Sequence, residues 1–375
     1  MPPTQTYHLS KILGRGAYGY VFQALDTNSS QQVAVKKSRV SQKVLRPILK
    51  YESQILQLLR GHPAIPALYG YGQLPHFEYL AMDLLGPSIK ECTTGPISVR
   101  TTVRVVLQML SALKHIHSCG IVHRDIKPEN ILCSRTDLSS IILIDYNISL
   151  PIKSGSPARH DCWWRVIGTL HWESVNAHNG IDLAPRDDLE SLAYVVFFLL
   201  YGNLPWIKAK SQNEPDKDRK RRVRESKANT SGSILGTSFP EEFTYLLDHS
   251  RSLQYDQLPD YEELQRRFSE PDVLLGDNDP KASLDWSAVE TTKMPEITVQ
   301  AEEAPNGEGD SESDADTGGE EDEKPFDPSF VDWYDVDWDI QYTRDRSLTL
   351  SVEMIELVNN SIPQIVEVTS DPDAE

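Results

Sequence analysis

The residues best suited by type and spacing to do chemistry lie in one run, Val122 to Leu132, VHRDIKPENIL. Asp125 is a carboxylate able to accept a proton, with the cations Arg124 and Lys127 beside it. Asn130, farther along the same run, offers an amide oxygen to a hard cation. Far upstream, YHLSKILGRGAYGYVF carries Gly14, Gly16 and Gly19. Glycines let backbone N–H groups approach phosphate oxygens where a side chain would collide. Lys36 and Lys37 end a short apolar run, VAVKK, and Asp145 ends another, IILID. A positioned triphosphate, an in-line nucleophile and cations on the developing charge are nearly all that phosphoryl transfer needs.

Secondary structure has to bring these groups together. A G-x-G-x-x-G spacing also marks dinucleotide-binding folds, but there it opens a helix, whereas here β-branched and aromatic strand formers flank it on both sides. VAVKK reads as a strand; its alternation leaves Lys36 or Lys37 as the inward lysine, and Lys36 is favoured. Leu49, Ile55, Leu56 and Leu59 in LKYESQILQLL suit an amphipathic helix, on which Glu52 could hold that lysine by a charge-assisted bond. An apolar helix, Val103 to Ile116, precedes the VHRD run. The segment YLAMDLLGPSIKEC, Tyr79 to Cys92, reads as a strand stopped by a Gly-Pro turn.

VHRDIKPENIL resembles the catalytic loop of protein kinases, and the glycine motif, VAVK and IILID stand at the spacing of that family's other signatures. The hinge-like MDLLGPS, with GTLHWESVNAHNGIDLAPRDDLESLAYVVFFLLYGNLPW from Gly168 to Trp206, narrows the resemblance to the casein kinase I family of serine/threonine kinases. In that family a Ser-x-Asn form, here Ser174 to Asn176, replaces the usual A-P-E element. The resemblance implies an α+β, two-lobed fold over residues 7–268: a mainly β N-lobe (about 7–82), a hinge (about 83–87) and a mainly α C-lobe (about 88–268). It implies ATP held by Gly14, Gly16, Gly19, Val21, Ala34, Lys36, Glu52, Met82, Asp83 and Leu85, and Mg2+ held by Asn130 and Asp145. Asp125 would be the catalytic base, Lys127 a contact to the transferred phosphate, and Asp188 a brace for the catalytic-loop backbone.

Two departures stand out. D-Y-N (Asp145, Tyr146, Asn147) replaces D-F-G, so Asn147 is expected to supply the positive φ that glycine would take, as asparagine readily does. DCWWR, Asp161 to Arg165, is not matched to the family. Its two tryptophans are either a substrate platform or packing, with packing favoured.

The net charge of −19 is unevenly spread. Residues 271–375 hold 5 Lys+Arg against 29 Asp+Glu, a balance of −24, which leaves the first 270 residues at +5. An acidic, largely disordered tail is expected over 271–375, since AEEAPNGEGDSESDADTGGEEDE has no apolar periodicity with which to order itself. The basic run Lys217 to Lys227, with Arg186, is open to three accounts: a surface for acidic or pre-phosphorylated protein substrates, a nuclear-localisation patch, or a solvated helix face. Contact of the tail with that run is a further expectation, with Ser311 and Thr317, each three residues after an acid, as autophosphorylation sites. The four cysteines lack C-x-x-C spacing, and the longest apolar run, Leu192 to Tyr201, is too short to span a bilayer. A cytoplasmic or nuclear enzyme with neither membrane nor nucleic-acid partner is expected. Its rivals are a nucleotide-binding pseudokinase, suggested by D-Y-N, and a scaffold acting through the tail.

Overall fold

The computed structural model describes residues 4–16, 19–40, 47–159, 169–207, 214–270, 284–286 and 361–370. Asp161 to Arg165, Ala17, Tyr18, Ser311 and Thr317 lie outside them.

The N-lobe is built on β1 (Thr4–Gly16), β2 (Gly19–Asp26), β3 (Gln32–Arg39), helix α1 (Ile48–Leu59), β4 (Leu68–Gln73) and β5 (Phe77–Asp83). Alternation gives the sheet two unlike faces. Tyr7, Leu9, Phe22, Val33, Val35 and Ala81 point into one buried cluster, while Ala34, Leu80 and Met82 join the larger core on the other side. Helix α1 buries the expected Leu49, Ile55, Leu56 and Leu59.

The C-lobe follows with α2 (Ile89–Cys92), α3 (Val99–Ser118), β6 (Ile121–Val122), β7 (Ile131–Cys133), β8 (Ile141–Leu143), β9 (Leu150–Pro151), α4 (Val175–His178), α5 (Pro185–Tyr201), α6 (Asp216–Ala228), α7 (Gly232–Leu235), α8 (Glu241–Ser252) and α9 (Tyr261–Phe268). Helix α5 is buried along nearly its whole length, as its apolar stretch from Leu192 to Leu200 demands, and Gly202 closes it in the left-handed region at φ 73°. Asp260 caps α9 by accepting the Glu263 N–H at 3.0 Å, at the Pro-Asp break in the sequence. The fold is thus two-lobed, β-rich then α-rich. No helix among the described residues is long and apolar enough to cross a membrane.

Two pieces of the stretch expected to be tail pack onto this body. Leu284 and Trp286 are buried, and Asp285 accepts from Ser98 N, Ser98 Oγ and Thr101 Oγ1 at the start of α3. A last strand, β10 (Gln364–Ser370), runs parallel between β1 and β4 and closes the N-lobe sheet in the order β1-β10-β4-β5-β3-β2. The expectation that the body ends near 268 is corrected for these residues. Ile362 and Ile365 supply apolar burial that the acidic composition of the stretch as a whole conceals.

Candidate active site

The hairpin of β7 and β8 pairs Ile131 with Leu143, so Asn130, just before it, and Asp145, just after it, arrive side by side. The Ile144 N–H donates to the Asn130 carbonyl at 2.9 Å. The pairing of β6 with β9 does the same for the other edge of the loop, where Ser149 Oγ donates to His123 O at 3.2 Å.

Lys36 Nζ lies 2.6 Å from Glu52 Oε1 and 3.1 Å from Asp145 Oδ1. Burial opposes the lysine's charge, but Asp145 and Glu52 outweigh it and raise its pKa. Burial likewise works against the Asp145 carboxylate, and Lys36 overrides it, holding Asp145 below its ordinary value. Lys37 faces the other side of β3, with its ammonium over the rings of Phe22 and Phe77, so Lys36 is the inward lysine. In register, Val21 stands opposite Lys36 on β2, and Met82 stands opposite Ala34 on β5. These side chains share the face of the sheet that carries Lys36. Gly14 and Gly16 have open space where a Cβ would be. Gly19, at φ 131°, would place one 2.1 Å from Lys37 O and so can only be glycine. The Asp83 side chain turns away, accepting from Ala67 N and Tyr69 Oη at 2.7 Å each, and its N–H goes to Ala67 O. Asp83 therefore has only its carbonyl to offer a base.

Asp125 is the centre of a second cluster. Lys127 Nζ donates to its Oδ2 at 2.5 Å, Thr169 Oγ1 to its Oδ1 at 3.1 Å, and Asn130 Nδ2 to Oδ2 at 3.0 Å and to its carbonyl at 2.9 Å. Lys127 also reaches Thr169 Oγ1 at 2.9 Å. Thr169 was not singled out from the sequence; its place just before the Ser174 element was the available signal. With its amide nitrogen committed to Asp125, Asn130 keeps its oxygen for a cation.

Asp188 braces the loop as expected. Its Oδ2 accepts the His123 N–H at 2.7 Å and its Oδ1 the Arg124 N–H at 2.8 Å. His117 Nε2 is 2.9 Å from Oδ2, and Tyr261 Oη is 2.5 Å from His117 Nδ1, so a buried chain runs from α9 to the catalytic loop. His123 accepts the Asp125 N–H at Nδ1, which leaves Nε2–H to donate to Ile144 O at 3.1 Å. Burial lowers its pKa and keeps the ring neutral, as this pattern requires.

One sequence expectation changes here. The left-handed backbone is at Asp145 (φ 73°) and Arg124 (φ 76°), and Asn147 does not share it. Tyr146 fills the aromatic position, buried edge-on to His123, with its hydroxyl on Leu143 O at 3.1 Å. In the run Lys217 to Lys227 several cations are paired. Arg219 and Lys220 pair with Asp216, Arg221 with Asp218, and Arg222 with Glu214. Lys227 is wholly buried, donating to Leu170 O and Glu173 O with the rings of Tyr194 and Trp206 beside it. Arg186 donates from Nη1 to Leu253 O at 2.7 Å.

The family model for the protein kinase domain matches residues 7–257, most of the chain. The chain belongs to the protein kinase family. The structure sets the two clusters apart by their partners: Lys36 with Glu52 and Asp145 in one, Asp125 with Lys127, Asn130 and Thr169 in the other. The donors also suit magnesium, since Asp145 and Asn130 offer hard oxygens and such sites take their remaining ligands from phosphate and water. No group of three or more His, Cys, Asp or Glu that could hold a metal occurs among the described residues.

Proposed function

We propose that this chain is a serine/threonine protein kinase of the casein kinase I type, transferring the γ-phosphate of ATP to hydroxyls of acidic or pre-phosphorylated proteins. The observation that carries the reading is the placement of Lys36 between Glu52 and Asp145 while Asp125, Lys127 and Asn130 share one hydrogen-bonded cluster. Lys36 would bind the α and β phosphates, with Glu52 fixing the direction of its ammonium group. Met82 would border the adenine, and the Asp83 carbonyl and Leu85 backbone would meet its edge. Asn130 and Asp145 would hold magnesium, which when bound supplies positive charge to the phosphates. Asp125 accepts the proton of the incoming hydroxyl. Lys127, bound to both Asp125 and Thr169, holds the carboxylate in place and puts a cation where the transferred phosphate gains charge.

The substrate preference is the finer part of the proposal. It draws on the resemblance and on the outward cations of α6, weakened because Glu214, Asp216 and Asp218 neutralise several of them. A cytoplasmic or nuclear location goes with it.

Transfer of labelled phosphate from ATP to casein and to matched acidic and neutral serine peptides tests both parts. Activity of the full chain, lost in a folded Asp125→Asn variant, is the expected result. Nucleotide binding without transfer would mark a pseudokinase, and equal rates on both peptides would remove the acidic preference.

A further inference from the structure

The strand β10 is seated in a place shaped for it. Ile365 is buried among Tyr7, Leu9 and Tyr79, and Ile362 packs into the larger core. The Tyr71 N–H on β4 donates to Pro363 O at 3.0 Å. The two glycines of β4 make the room. A Cβ on Gly72 would stand 2.3 Å from Ile365 O and 2.7 Å from its Cβ, and one on Gly70 would stand 3.1 Å from Ile365 Cγ1. On the other side, β1 pairs with β10 from Thr4 to Leu9, and His8 Nδ1 meets Thr369 Oγ1 at 2.9 Å.

Two routes lead from this strand to α1, the helix that carries Glu52. Directly, Gln57 Nε2 donates to Ser361 Oγ at 2.7 Å. Indirectly, Tyr71, which holds Pro363 by its backbone, places its hydroxyl 3.4 Å from Glu78 Oε2, and that carboxylate accepts the Lys50 N–H at 3.1 Å in the first turn of α1. An acceptor there satisfies an otherwise unpaired helix-end N–H and complements the helix dipole. Without β10, β1 and β4 present unpaired strand edges, and α1 loses one contact outright and the support behind another.

We infer that residues 361–370 are an intramolecular activating latch: docked between β1 and β4, they hold α1 where Glu52 meets Lys36, and their release lowers phosphoryl transfer. The chemistry of recognition is strand addition, with main-chain hydrogen bonds for affinity and the isoleucines at 362 and 365 as anchors. The lever is the Lys36–Glu52 pair, whose assembly a kinase requires for turnover. The bonds of residues 361–370 named above go to β1, β4 and α1, so they act as positioning residues.

The inference rests on the kinase reading, and its test separates the two. In the full chain, Ile365→Asp puts a charge where Ile365 is buried and should undock the strand. Amide exchange of β4, at Tyr71 in particular, reports the undocking. Exchange across α1 should then speed by about tenfold, and kcat should fall by a similar factor with KM for a peptide substrate within about twofold of wild type. A synthetic peptide of residues 359–372 added in trans should slow α1 exchange and restore most of the activity, which a merely destabilised core would not allow. If Ile365→Asp does not fold, Ile365→Ala serves, with a loss of about threefold expected. An undocked strand with wild-type α1 exchange and wild-type kcat overturns the inference. Should the wild-type chain transfer no phosphate, the kinase reading fails, and α1 exchange with and without the peptide still decides whether the latch exists.

Discussion

Asp188 accepts the backbone N–H of Arg124 at 2.8 Å and so holds that residue at φ 76°, a conformation an arginine adopts only when its surroundings impose it. The bent backbone sets where Asp125, the next residue, points. Asp188→Asn keeps the shape but turns one acceptor into an N–H2 facing an N–H. A stability loss of about 2–4 kcal/mol and a fall in kcat of about a hundredfold are expected, with KM for ATP little changed. Chemical denaturation and steady-state kinetics check it. Tyr261→Phe, which removes only the far end of the chain through His117, should cost about 1–2 kcal/mol and a smaller part of kcat.

Asn147→Gly gauges the D-Y-N departure. Because Asn147 does not take positive φ, glycine gains nothing there and adds backbone freedom to the unfolded chain. The variant should lose about 0.5–1 kcal/mol in thermal denaturation, with transfer unchanged. A gain in rate would mean that the loop needs the freedom glycine brings.

Tyr146→Phe restores the usual aromatic and removes the hydroxyl that Leu143 O accepts. A loss of about 1 kcal/mol with kcat within about threefold of wild type is expected, because the ring rather than its hydroxyl packs on His123. A collapse in activity would give the phenol a task in the site.

Glu173 lies beneath the Ser174 element with both carboxylate oxygens unpartnered among the described residues. Burial pushes its pKa up to about 8, against an ordinary value of 4.5, despite the nearby Lys227. Between those values the folded protein keeps a proton that the unfolded chain releases. Its contribution is therefore complete below the unfolded value and is lost as pH rises through the folded one. Lys227, lowered by burial to about 7, acts in the opposite sense only above that pH. From about pH 5 to 7, Tm of the wild type should fall more than that of Glu173→Gln, so the variant gains ground as pH rises. Parallel Tm profiles would show that Glu173 does not titrate in this range.

Most of the site was legible because each element of it is local. A glycine hairpin, a strand ending in Lys36, a helix turning Glu52 inward and the VHRDIKPENIL loop each carry their own pattern, and the family resemblance supplies their mutual arrangement. What escaped was set at long range. Lys227 sits in a helix whose sequence is nearly all charge, and only the packing of α6 under Tyr194 and Trp206 makes its ammonium an interior group. The backbone of D-Y-N could not be read from residue preference, because the twist falls on the aspartate that pairs with Lys36. QIVEVTS has strand-forming residues, yet its partners, β1 and β4, lie near the opposite end of the chain, and nothing in a short window points to them.

The position of β10 in the chain also sets an order of events during synthesis. Strands β1 to β5 leave the ribosome first, and the strand that completes their sheet follows after roughly 280 further residues, on the order of 15–60 s later at ordinary elongation rates. Through that interval the edges of β1 and β4 stand open on a nascent lobe, as does the hollow over Gly70 and Gly72. Those edges are where a chaperone would be needed, and where two neighbouring nascent chains would first adhere. If helix α1 awaits the same strand, the enzyme stays quiet while it is being made.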